Sequence, residues 1–88
     1  EDTLCGGMLI HLLAERLGKT IKQNDAGSLA LLLYRTNKDV IRQAIEDGEH
    51  GRFLASIGFA EDVSVASAID STSVLPVLRD GRLVIETD

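Results

Sequence analysis

At 88 residues the chain sits at the lower end of the domain range, which predicts a single unit, residues 1–88, with a limited core. Its hydrophobic share of 44% is almost wholly Leu, Ile, Val and Ala, with two Phe, one Tyr and no Trp, so that core is expected to be aliphatic. Nine Lys and Arg against fourteen Asp and Glu leave a net charge of −5, and the basic residues are scattered, which argues against a phosphate-backbone footprint and against nucleic acid as a partner.

The chain opens Glu1-Asp2-Thr3 and enters an apolar pattern within a few residues, which reads as a cut end. Leu4, Met8 and Leu12 recur every four positions, with Leu9, Ile10, Leu13 and Leu17 between them. The spacing predicts a helix over 3–17, apolar nearly all round and so buried on most sides, with Asp2 or Thr3 as its cap and Gly18 as its stop. Gly6-Gly7 near its start costs roughly 1 kcal/mol per residue relative to Ala, which points to a close approach on the backbone there.

Asn24-Asp25 offers a second cap, followed by a helix over 26–34 carrying Leu29, Leu31, Leu32 and Leu33 and broken at Asn37-Lys38-Asp39. Val40, Ile41, Ala44 and Ile45 mark a third helix ending at Gly48, and Phe53, Leu54 and Ile57 a short fourth ending at Gly58. Residues 61–69 carry β-branched Val63 and Val65, but their spacing and the cap-like Glu61-Asp62 favour a fifth helix. Last, residues 74–79 and 82–85 flank Asp80-Gly81, the pair favoured in a two-residue type I′ turn, and predict a β-hairpin. Its strands are apolar on both faces, as in strands covered on two sides, and Pro76 belongs at an edge or a strand start. The expected class is α+β, mostly helical with four to five helices and a C-terminal hairpin, belonging to a larger α/β protein, because an isolated hairpin is marginal.

Cys5 is the single cysteine and cannot form an internal disulfide, which predicts a reducing, cytoplasmic setting. No apolar run approaches the roughly 20 residues of a membrane helix, and no secretory leader pattern is present, so no membrane partner is expected.

Two constellations can carry chemistry. Glu1, Asp2 and Cys5 gather carboxylates and a thiol at a helix start, where hard oxygens suit Mg²⁺, backbone amides suit an anion and a thiolate is favoured. The same residues also read structurally, with Asp2 capping, Glu1 facing the dipole and Cys5 as a small buried hydrophobe. Glu49-His50-Gly51-Arg52 opens the fourth helix and pairs an imidazole suited to proton transfer with a guanidinium suited to phosphate. The alternative is a pair of solvated surface groups, and Arg79 and Arg82 beside the hairpin turn read that way too. None of the short motifs GxxxxGK[ST], GxSxG, HExxH or CxxC is present, so spacing alone leaves the function open.

The runs EDTLCGG at 1–7, NDAGSLALLLY at 24–34 and EHGRFLASIGFAEDV at 49–63, with VLPVLRDGRL at 74–83, resemble the C-terminal part of the 2-phosphosulfolactate phosphatase family. The resemblance covers essentially the whole chain, with small departures at Gly7 and Ile57. It implies a Mg²⁺-dependent phosphoric monoester hydrolase that releases sulfolactate from 2-phosphosulfolactate, a step associated with coenzyme M biosynthesis, or that acts on a related small phosphorylated acid. It implies Glu1 and Asp2 as metal or metal-water ligands, Cys5 near the reacting phosphate, His50 as an acid and Arg52 as an anion contact. Because family members are longer, it implies as a partner the N-terminal part of the same protein, with this chain inactive alone and a homo-oligomer open. The competing readings are a non-catalytic helical interaction or dimerisation module with exposed apolar faces, and a helix-turn-helix DNA binder, which the net charge of −5 disfavours.

Overall fold

The computed structural model describes residues 1–86. Five helices run in chain order, α1 (Asp2–Leu17), α2 (Asp25–Asn37), α3 (Ile41–Asp47), α4 (Glu49–Ser56) and α5 (Ala60–Ala66), followed by an antiparallel hairpin of β1 (Pro76–Arg79) and β2 (Arg82–Ile85). The α+β, mostly helical class follows from this order.

Each boundary has a local cause. Glu1 occupies the position before α1 without a side-chain cap, so the cap expected at Asp2 or Thr3 is not made. Both instead lie inside the first turn, where the Asp2 carboxylate faces the positive end of the helix dipole. Gly18 ends α1 in the left-handed conformation (φ 64°), donating its N–H to Ala14 and Glu15. Asn24 caps α2, its Oδ1 accepting from the Gly27 N–H at 2.9 Å. The α2 helix runs a turn past Tyr34, and Thr36 Oγ1 donates to the Leu32 carbonyl there. The α4 helix takes in the whole 49–52 run, because Gly48 adopts an extended conformation and restarts the chain. The α5 helix stops at Ala66, short of Ile69.

The hairpin turn has φ 49° at Asp80 and 76° at Gly81, the positive pair a type I′ turn requires. Register pairs Val77 with Val84 and Leu78 with Leu83, and Pro76 opens its strand. Arg79 is exposed, as expected, and its guanidinium also donates through Nε and Nη2 to Glu86, whose carboxylate raises the arginine above its ordinary pKa.

Two glycines set the packing. A Cβ on Gly7 would stand 2.0 Å from the Ala30 carbonyl oxygen, so α1 and α2 touch backbone to backbone. A Cβ on Gly51 would stand 2.1 Å from the Ile45 oxygen, which fixes α4 against the end of α3. Leu4, Ala30, Tyr34 and Val63 are the buried apolar residues of the described chain. This is a small core, and the radius of gyration of 15.4 Å exceeds the roughly 12 Å of a compact chain of this length.

Two expectations about burial are corrected. The outer side of α1 is open, with Leu9 63% and Leu13 49% exposed, because α2 packs along one flank and α3 and the exit of α5 only border a cleft beside its first turns. The hairpin is not covered on two sides either: Leu78 and Leu83 are 66% and 74% exposed, and only Val77 and Val84 are half-buried.

Candidate functional site

The start of α1 borders two neighbouring clefts, the first shared with the start of α4 and the second with α3 and the exit of α5. The first, of about 460 Å³, is lined by Glu1, Glu49, His50 and Asp62 over an apolar floor that includes Leu4, Ile45 and Val63. The second, of about 510 Å³, runs along α1 past Glu1, Asp2 and Cys5 to Leu12, with Asp70 on its far side. Glu1 lines both. The close contact of Gly51 on Ile45 holds α4 to the end of α3, and Leu4 of α1 lines the first cleft with Ile45 and Val63.

The sequence-predicted residues divide between the clefts. Glu1, Asp2 and Cys5 share the second, and Glu1 with His50 shares the first. Cys5 is exposed, so the buried-hydrophobe reading of that thiol does not describe it. His50 is exposed and stacks on Phe53, ring centroids 6.0 Å apart. Arg52 is exposed and lines neither cleft. The arrangement also includes Asp62 and Asp70, which spacing had not singled out as site residues. Asp62 follows from α5 docking on α4, a tertiary contact without a local signal. Asp70 adopts a left-handed conformation (φ 55°) just after α5, which Asp tolerates better than most residues.

Both linings are mostly apolar, and the carboxylates on them stand without Lys or Arg, so an anion entering either meets side-chain charge of its own sign. A cation that neutralises them fits this chemistry. Among the described residues no three His, Cys, Asp or Glu side chains converge as a complete metal cage. Mg²⁺ does not need one, because it ordinarily takes one or two protein carboxylates and fills its remaining positions with water and substrate phosphate. Glu1 and Asp2 are hard oxygen donors of that kind, at the mouth of one cleft. Elsewhere, His11 packs on Tyr34 with ring centroids 5.3 Å apart, and its Nε2 lies 3.1 Å from Glu15 Oε1. No helix of the described residues is long and apolar enough to cross a membrane.

The family model for 2-phosphosulpholactate phosphatase matches residues 1–81. Curated relatives named "Probable 2-phosphosulfolactate phosphatase" match across the chain. One from Carboxydothermus hydrogenoformans is 35% identical over 99% of this chain, and one from Cyanothece sp. is 31% identical over 97% of it. A third, from Symbiobacterium thermophilum, is 26% identical over 97% of it. In each case the match spans 36% of the relative's own length. No solved structure matches. With EDTLC at the start of α1 and HGR inside α4, both within the matched span, the chain belongs to the 2-phosphosulfolactate phosphatase family.

Proposed function

We propose that this chain is one wall of a Mg²⁺-dependent phosphatase that hydrolyses the phosphate ester of 2-phosphosulfolactate, or of a related small phosphorylated acid, to sulfolactate and inorganic phosphate. The observation that supports the reading is the set of carboxylates on the two clefts, with Glu1 lining both, inside a family-matched span. The substrate carries phosphate, carboxylate and sulfonate charges. Against the carboxylates of Glu1 and Asp2 such an anion would need a divalent cation to offset the like charge. When bound, Mg²⁺ supplies charge neutralisation at the phosphoryl oxygens.

The chain's own residues have separate tasks. Glu1 and Asp2, which line the second cleft, would hold the cation at the start of α1. Cys5, one turn along, lines the same cleft and would stand near the reacting phosphate. Water adds its oxygen to phosphorus as the P–O ester bond breaks; the leaving alkoxide takes a proton from His50, which lines the neighbouring cleft, and His50 recovers a proton from the added water. Arg52 reaches an anion only through a wall built by other polypeptide, since it lines neither cleft. The reading takes residues 1–88 as the C-terminal part of a longer cytoplasmic protein, inactive alone. The exposed leucines also suit a non-catalytic interaction module. Family membership weighs toward the enzyme.

The test is phosphate release from 2-phosphosulfolactate by the intact longer polypeptide. Asp2→Ala and Cys5→Ala are expected to lower kcat/KM on the order of 10²-fold or more, and His50→Ala by 10²-fold to 10⁴-fold. Full activity in all three removes the site assignment.

A further inference from the structure

The stripe of α1 that faces away from α2 is Gly6, Leu9, Leu13 and Leu17, spaced at three and four residues and continuous with the mouth of the second cleft through Leu9 and Cys5. Leu9, Leu13 and Leu17 are each about half or more exposed along a sixteen-residue helix, with Arg16 beside them at its C-terminal end. Gly6 adds a second, independent sign. Its neighbour Gly7 is required by the Ala30 carbonyl, but a Cβ on Gly6 would meet nothing within 4 Å. A helix-weakening residue stands where the described chain itself has no use for it. On the outer stripe, a missing side chain lets another backbone approach.

The size of that other body is indicated by the relatives, because the match covers 36% of their length and leaves nearly two thirds outside it. We infer that the Gly6–Leu9–Leu13–Leu17 stripe is the seat of that remaining polypeptide, an aliphatic face that packs against α1 at Gly6 and roofs the cleft over Asp2 and Cys5. This rests on the phosphatase reading for the identity of the occupant. It adds which face is covered, and it makes the roof of the site depend on α1 leucines that touch no substrate. The outer face of α2, with Leu29 and Leu32, interrupts its leucines with Asp25, Ser28 and Thr36 and has no glycine lacking a partner inside the chain.

Thiol labelling tests the inference in the intact longer polypeptide and in the 88-residue chain, both carrying Cys5→Ser. A cysteine introduced by Leu13→Cys is expected to react with a maleimide at least tenfold more slowly in the intact polypeptide. One introduced by Arg42→Cys, on exposed α3, is expected to react equally in both. Leu9→Asp with Leu13→Asp is expected to lower the melting temperature of the intact polypeptide by about 10 °C or more and to leave the helical signal of the 88-residue chain unchanged. Equal labelling at position 13 overturns the inference. So does a double variant that turns an oligomer into a monomer of unchanged melting temperature, which makes a second copy the occupant. A protected stripe without phosphate release leaves the docking face standing and removes the phosphatase reading. Phosphate release with an unprotected stripe does the reverse.

Discussion

The α1–α2 seam and the C-terminal hairpin are both regular and well formed locally, yet they stand differently in the molecule. At the seam, Gly7 lies against the Ala30 carbonyl, and Leu4, Ala30 and Tyr34 are buried. The hairpin has its I′ turn and full register, but one face consists of Pro76, Leu78, Leu83 and Ile85, all exposed. Backbone geometry is therefore satisfied in both, and side-chain burial in one. An isolated two-stranded ribbon is marginal in water, and no described residue covers this apolar face of the hairpin. The outer stripe of α1 is in the same condition.

Substitutions at the seam should break this contrast most severely. Gly7→Ala puts a methyl group onto the Ala30 carbonyl and is expected to cost about 3 kcal/mol, read as a shift of the urea midpoint. Gly51→Ala meets the Ile45 carbonyl at the α3–α4 corner, where one short helix can shift, and about 2 kcal/mol is expected by the same measurement. Asn24→Ala removes the cap that accepts from Gly27 and is expected to cost about 1 kcal/mol. On the hairpin, Leu78→Ser or Leu83→Ser in the 88-residue chain should change stability by less than about 0.5 kcal/mol. A cost above about 2 kcal/mol there would show that the hairpin face is packed and would erase the contrast.

Much of the local structure was legible in the residues. Asn24 as a cap, Gly18 and Gly58 as stops, and Asp80-Gly81 as the turn all act through backbone conformations that one or two residues determine. Burial was not legible, because hydrophobicity states what a side chain avoids and not whether this stretch of chain supplies the cover. That is why the apolar helix α1 read as enclosed although Leu9 and Leu13 are open. The candidate site divides in the same way. The EDTLC and HGR runs were visible as sequence, and Glu1 does line a cleft with each. Asp62 and Asp70 enter only through the packing and exit of α5, and the position of Arg52 outside both clefts follows from the turn of α4.

The central claim is that the acidic mouth at the start of α1 is half of a cation-bridged phosphate site. The most direct measurement is the initial rate of phosphate release from 2-phosphosulfolactate, with Mg²⁺ and then with excess chelator, for the intact longer polypeptide and for the 88-residue chain side by side. The account predicts release by the intact polypeptide that stops on chelation, and none by the 88-residue chain. Equal release by both, or release untouched by the chelator, would contradict it.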